Sequence, residues 1–124
     1  MTISQGQCTI FKQKCLSGLE NFNTGTSYVY KIALYTANAD LSYTTTAYTT
    51  TDEITGTGYT AGGATLTPII PASSGQTAYV SFENVTWNPA SFTCRGALIY
   101  NSSAAGNPAV CVLDFGGQRT TTAG

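Results

Sequence analysis

Two stretches near the carboxyl end determine the fold predicted for this chain: FTCRGALIY at residues 92–100 and AVCVLDF at residues 109–115. In each stretch an apolar or small residue recurs at every second position, the spacing of a strand whose alternate side chains face a core. The connection between them contains Asn107-Pro108, a dipeptide typical of turns. We therefore predict an antiparallel β-hairpin. The side chains predicted to share a face are Phe92, Cys94, Gly96, Leu98 and Tyr100 in the first strand, and Ala109, Cys111, Leu113 and Phe115 in the second.

The charges in this hairpin predict its register. A connection centred between residues 104 and 105 places Cys94 opposite Phe115, Arg95 opposite Asp114 and Leu98 opposite Cys111. Apolar side chains then meet on one face, and a positive and a negative side chain meet on the other. A slip by one residue would mismatch the two faces. We therefore predict this register, with Arg95 and Asp114 as a structural ion pair.

The first 22 residues predict a short helix. Cys8, Phe11, Cys15 and Leu19 are spaced by three and four residues, so they would lie on one helical face. Gly18 is suited to end the helix, because glycine adopts the left-handed backbone of a helix C-terminus at little cost. We expect this helix to pack against one end or one face of the sheet.

Three further segments predict strands. Residues 28–35 alternate with apolar side chains on both faces, as in a central strand. Residues 64–70, interrupted by Pro68, predict an edge or bulged strand, and residues 78–87 predict another. Residues 36–63, the long connection, are rich in Thr, Tyr and Gly, and one short strand near residues 52–55 is expected there. The sequence thus predicts an all-β fold: a single-domain antiparallel β-sandwich or partly open barrel over residues 1–124, with a short N-terminal helix.

Composition and charge exclude several classes of function. Only 9% of the 124 residues are charged, and the formal net charge is −1. Five scattered Lys and Arg residues cannot form the basic surface that nucleic-acid binding requires. The chain contains no histidine, so the commonest general base and transition-metal ligand is missing. We therefore predict no catalytic residues, no metal, no cofactor and no nucleic-acid partner.

The sequence also lacks the signals of membrane insertion and export. No apolar run approaches the length that crosses a bilayer, and the first residues lack the basic and apolar regions of a signal peptide. We therefore expect no membrane partner and a protein that stays in the compartment where it is made. Without export, the four cysteines are expected to be small buried hydrophobic residues, and any disulfide would join the helix to the hairpin.

The remaining candidates for chemistry favour structural roles. Asp52 and Glu53 are adjacent and would face opposite ways on a strand, so a solvated turn is favoured over a pair of catalytic carboxylates. Trp87 and the tyrosines leave open a surface that stacks on sugar rings, with packing favoured. An enzyme would need carboxylate chemistry, for which Asp114 is the candidate.

Five ordered blocks of this sequence resemble one protein family. They are YKIALYT at residues 30–36, TTAYTT at 45–50, GTGYTAGG at 56–63, FTCRGALIYN at 92–101 and AVCVLDFGG at 109–117. Together with the segment from Phe11 to Phe22, they resemble a family of small structural proteins of tailed bacteriophage virions. The resemblance covers nearly the whole chain.

The resemblance implies a virion protein that is synthesised in the host cytoplasm. It favours a capsid cement, or decoration, protein on the capsid exterior, which stabilises the head by binding across junctions of the major capsid protein. The implied partners are that protein and copies of this chain, as a dimer or trimer. The alternative is a head–tail connector, or a tail or tail-tip protein, whose ligand would be carbohydrate of the host receptor.

The interface of such a protein is predicted to lie largely in the long connection. Low charge and abundant Thr and Tyr suit a surface that is buried against copies of the chain and a shell. The residues predicted for this interface are Tyr43, Tyr48, Asp52, Glu53, Tyr59, Trp87 and Arg119.

Overall fold

The computed structural model describes residues 3–22, 28–87 and 90–121. Within them the elements are β1 (Gly6–Gln7), α1 (Thr9–Leu16), β2 (Tyr30–Tyr35), β3 (Ala64–Leu66), β4 (Pro68–Ser74), β5 (Thr77–Phe82), β6 (Thr93–Asn101) and β7 (Ala109–Thr120). Five strands form one antiparallel sheet in the order β1-β7-β6-β2-β3. Strands β4 and β5 form a separate two-stranded ribbon. The predicted all-β antiparallel fold with one short helix is confirmed. Among the described residues the five-stranded sheet ends at the edge strands β1 and β3, without pairing that would close it into a barrel.

Each face of the five-stranded sheet carries its own core, because alternate residues of β2 and β6 point to opposite sides. The buried side chains on one face are Ala33, Tyr35, Leu98, Tyr100 and Val112, which pack with Ile3, Cys8, Ala39 and Leu41. Those on the other face include Tyr30, Leu34, Ala97 and Ile99, which pack with Ile54, Ala90, Phe92 and Val110. Segments outside the sheet therefore cover both of its faces.

The β6–β7 hairpin has the predicted strands but a register that differs by one residue along most of its length. The predicted alignment is present only beside the turn, where Tyr100 pairs with Ala109. Farther along, Ile99 pairs with Cys111 and Leu98 with Val112, so the predicted pairing of Leu98 with Cys111 is wrong. The cause is a bulge, since β7 carries one more residue than β6 between those pairs.

A second irregularity, at Arg95, changes the faces of β6. Gly96 pairs with Asp114, whereas Cys94 pairs with Arg119, so the predicted pairing of Cys94 with Phe115 is wrong. Phe92 and Cys94 pack on the face of Leu34, opposite Leu98 and Tyr100, so the prediction of one shared face is also wrong. The predicted alignment of Arg95 with Asp114 is wrong, because Asp114 pairs with Gly96. The ion pair itself is confirmed, with Arg95 Nη1 3.0 Å from Asp114 Oδ1.

Helix α1 is shorter and less buried than predicted. It ends at Leu16, and the next turn closes at Gly18, whose φ of +74° lies in the left-handed region, as predicted. The predicted face of Cys8, Phe11, Cys15 and Leu19 is wrong, because Cys15 and Leu19 are exposed. Cys8 precedes the helix, and the partly buried residues that contact the core are Ile10 and Phe11.

The long connection, which the structure describes throughout, contains isolated bridges and no strand. Glu53 bridges Tyr35 at the end of β2, close to the expected short strand. The segment predicted as one strand over residues 64–70 divides at Thr67: β3 joins the five-stranded sheet, and β4 continues into the ribbon with a bulge between Ile69 and Ala72. The strand predicted over residues 78–87 ends at Phe82.

Candidate functional site

Glu53 lies at the centre of a hydrogen-bonded cluster that joins the long connection to the sheet. The Tyr48 hydroxyl donates to Glu53 Oε1 at 2.6 Å, and the Tyr59 hydroxyl donates to Oε2. The Gly62 amide donates to the same Oε2 at 2.8 Å. The Leu34 amide of β2 donates to the Tyr59 hydroxyl oxygen at 3.0 Å. One carboxylate therefore holds two tyrosines and a loop amide against β2.

Two more tyrosines, both from the sheet, extend this cluster. The Tyr48 ring stacks on Tyr100 with their centroids 4.6 Å apart, and the Tyr100 hydroxyl donates to the Gly62 carbonyl at 2.6 Å. The Tyr35 hydroxyl donates to the Thr49 carbonyl at 2.6 Å. The long connection is thus attached to β2 and β6 at several points along its length.

The electrostatics of the cluster suit a structural role. Burial raises the pKa of Tyr35, Tyr48 and Tyr59 above the ordinary tyrosine value, and the nearby Glu53 carboxylate raises the pKa of all three further. These hydroxyls therefore stay protonated and remain hydrogen-bond donors. A tyrosine that served as a base or a nucleophile would need a lowered pKa. The cluster is built to hold the long connection in place.

A second polar cluster fixes the end of the β6–β7 hairpin. Glu20 Oε1 accepts hydrogen bonds from the Tyr30 hydroxyl at 3.0 Å and from Asn101 Nδ2 at 2.8 Å. Asn101 is fully buried, and its Oδ1 accepts from the Ser103 amide and hydroxyl. No local pattern in the sequence predicts this cluster, because Glu20 and Asn101 are far apart in the chain.

The structure separates the predicted interface residues into two groups. Tyr48, Glu53 and Tyr59 are half-buried and bonded to one another within the chain. Glu53 therefore does not occupy the solvated turn expected for it. Asp52 does, being exposed with a φ of +62°, and Tyr43 is 63% exposed. The assignment of these residues to an interface stays a prediction.

Trp87 and Arg119 also make contacts within the chain. Trp87 is half-buried, with its ring perpendicular to Phe92 at 6.3 Å and tilted to Tyr59 at 6.4 Å. Arg119 is exposed, and its guanidinium donates to the Phe115 carbonyl at 2.8 Å. Trp87 therefore packs as a core residue more than as a flat platform.

All four cysteines are free thiols. Cys8 and Cys94 are buried, so for these two the prediction of small buried core residues is confirmed, whereas Cys111 is half-buried. Cys15 is exposed, and for it the prediction is wrong. Burial raises the pKa of Cys8 and of Cys111 to about 11.

Most residues of the β4–β5 ribbon are exposed, and none of them is charged. No charged residue occurs between Glu53 and Glu83 in the sequence. On one face of the ribbon Ile69 is 46% exposed and Tyr79 is 51% exposed. On its other face the half-buried Val80 and Phe82 line an apolar cleft that the ribbon forms with the sheet.

Comparisons with known proteins add no family to these observations. A scan against protein-family models found no match, and searches of curated proteins and of solved structures found none. In the described ranges, no helix is long and apolar enough to cross a membrane. Over the same ranges, no group of three or more Cys, Asp or Glu side chains is arranged to hold a metal ion.

Proposed function

We propose that this protein is a structural protein of a tailed-phage virion, specifically a capsid cement protein that binds across junctions of the major capsid protein. It acts by burying surface against its own copies and the shell, and it has no enzymatic activity. The five sequence blocks that resemble the phage family support the virion assignment. The exposed uncharged ribbon supports the mode of action.

The ribbon is the observation that carries this proposal. A two-stranded ribbon is only marginally stable by itself in water, so an exposed one gains from a partner that covers it. Side chains such as Ile69 and Tyr79, rimmed by Ser and Thr, resemble the apolar centre and polar rim of protein interfaces. Because the patch is small, each contact would be weak.

Weak contacts suit a protein that is present in many copies on a symmetric shell. Each copy that touches two capsid subunits links them, and the second contact then forms at a high effective concentration. The rigid attachment of the long connection through Glu53 supports the same role, because a preorganised surface loses less entropy when it binds.

The competing position in the virion is the head–tail connector or the tail. The carbohydrate-binding form of that alternative has less support, because Trp87 packs edge-on against Phe92 and is half-buried. Sugar rings stack on an aromatic face that is open to solvent. Tyr43 and Tyr79 are the exposed aromatic side chains that a glycan could still reach.

Copy number per particle tests the proposal. Purified virions of the phage that encodes the chain would be digested and analysed by quantitative mass spectrometry, with peptides of the major capsid protein as the internal standard. We expect copies on the order of hundreds, because icosahedral symmetry multiplies each capsid site. A dozen copies or fewer would place the protein at the portal, neck or tail. Absence from the particle would overturn the virion assignment.

A further inference from the structure

The outer edge of β5 is an unprotected strand edge. In the described part of the chain, β4 is the one strand that pairs with β5, so the backbone groups on the other side of β5 have no strand to bond. Thr77 pairs with Ser74 next to the turn, and Tyr79 pairs with Ala72. By the alternation of an antiparallel ladder, Ala78 and Val80 then direct their N–H and C=O groups outward.

Natural proteins protect exposed edges with charges, prolines, bulges or very short strands. The other free edges of this structure carry such devices: β1 and β3 have two and three residues, β4 contains Pro71 and a bulge, and β7 has Arg119 near its end. The Gln5 side chain also accepts from the Asp114 amide of β7. Strand β5 has six residues without a charge, a proline or a bulge.

We infer that β5 is the self-association edge of this protein, which pairs antiparallel with β5 of a second copy. The two ribbons then form one four-stranded sheet about a two-fold axis, in the order β4-β5-β5-β4. A second copy is the partner that the charge distribution fits. Near a two-fold axis each residue faces the same residue of the second copy, so a charged residue there would be repelled by its equivalent. No residue of the ribbon is charged.

The geometry of the ribbon also fixes the centre of this contact. A two-fold axis perpendicular to the sheet keeps each side chain on its own face, so a residue of β5 can pair directly with the same residue of the second copy. Tyr79 is the exposed aromatic residue in the middle of β5. With the axis at Tyr79, the two Tyr79 rings lie side by side, flanked by Ile69 of each copy, and the exposed apolar surface is covered.

This inference rests on the proposed function for its purpose, namely linking neighbouring copies on a shell. Its test uses only the purified chain, so that its failure leaves the virion assignment untouched. Because six residues of strand edge make a small interface, we expect a dissociation constant in the micromolar to millimolar range.

Sedimentation equilibrium over a concentration series up to millimolar measures this self-association. We expect Tyr79→Lys to weaken it by about tenfold or more, because two like charges would face each other at the axis. Leu16→Lys, which places the same charge at an exposed side chain of α1 outside the ribbon, should leave it unchanged. Ala78→Pro removes an outward N–H while sparing the bonds to β4, and it should weaken the dimer without lowering the melting temperature of the fold. A chain that stays monomeric throughout, or equal effects of the two lysine variants, would overturn the inference.

Cross-linking tests the centre of the contact separately. In a Cys15→Ser background, Tyr79→Cys should form a disulfide-linked dimer under mild oxidation, because a residue at the axis meets its own copy. Leu16→Cys, with an exposed thiol outside the ribbon, should cross-link far more slowly. Equal rates for the two thiols would refute the axis at Tyr79.

Discussion

Removal of the Glu53 carboxylate tests whether the long connection is held by the tyrosine cluster. Glu53→Ala leaves the Tyr48 hydroxyl, the Tyr59 hydroxyl and the Gly62 amide without their acceptor. The Tyr59 hydroxyl, whose oxygen accepts from the Leu34 amide, loses the acceptor of its hydrogen. The substitution therefore destabilises the cluster through unsatisfied donors as well as through the lost bonds.

The magnitude follows from the three donors. A buried donor that loses its partner costs about 1–3 kcal/mol, and all three donors belong toward the low end because their residues are half-buried. We expect Glu53→Ala to lower the free energy of unfolding by about 3–5 kcal/mol. Glu53→Gln should cost about 1–2 kcal/mol, because its amide can donate to Tyr48 while its oxygen still accepts from the other side of the cluster.

Asp52→Asn is the matched control. It removes a neighbouring carboxylate that is exposed, and asparagine tolerates the positive φ of this position. We expect a change within about 0.5 kcal/mol. Urea unfolding followed by circular dichroism measures all three variants, with a constant m-value as the check for two-state behaviour. If Glu53→Ala and Asp52→Asn differ by less than about 0.5 kcal/mol, the carboxylate does not anchor the long connection.

Three further predictions follow from the backbone and the thiols. Gly63→Ala should lower the melting temperature strongly, because the φ of Gly63 is +85° and the new Cβ would lie 1.8 Å from the carbonyl oxygen of Ile32 in β2. The control Gly117→Ala places its Cβ in open space and should melt like the wild type. Equal melting temperatures of the two variants would contradict this prediction. At neutral pH an aromatic disulfide reagent should modify the exposed Cys15 rapidly and the buried Cys8 only after unfolding. Mass spectrometry of the labelled chain measures both rates. Fast labelling of Cys8 in the folded chain would contradict its burial. The free energy of unfolding should fall as the pH rises from about 9 toward 11, because burial raises the pKa of the Cys8 and Cys111 thiols from 9.0 to about 11, so the folded state binds more protons than the unfolded state in this window. The raised pKa of Tyr35, Tyr48 and Tyr59 acts in the same direction above pH 10. Urea unfolding at a series of pH values checks this, and Cys8→Ala should fall less steeply than the wild type.

Local sequence pattern predicted the strands but not their alignment. The period of two in residues 28–35 and 92–100 is a property of the residues themselves, and β2 and β6 form there. The register depended on where β7 takes up an extra residue, between the pairs Ile99–Cys111 and Tyr100–Ala109. A bulge of this kind is set by packing on both faces of the sheet, which the alternation within one strand does not report.

In the candidate site, too, local sequence predicts some features and tertiary packing decides the others. The presence of tyrosines and of one acidic pair in the long connection is visible in the sequence. Glu53 and its partners Tyr48 and Tyr59 are close enough in the chain for their grouping to be guessed, but Tyr100 comes from β6 and has no local signal. Asn101 and Glu20 are likewise joined only by folding.

The sequence by itself determined the all-β class, the low charge and the uncharged run that becomes the ribbon, because these depend on composition and on the two-residue period of an extended chain. The tertiary structure alone decided which acidic residue is buried, which cysteine is exposed and which strand edge stays open. Those outcomes depend on contacts between segments that are distant in the chain. Glu53 is half-buried and Asp52 exposed because the tyrosine donors lie on one side of the backbone there, and β5 stays open because no other described strand reaches its outer edge.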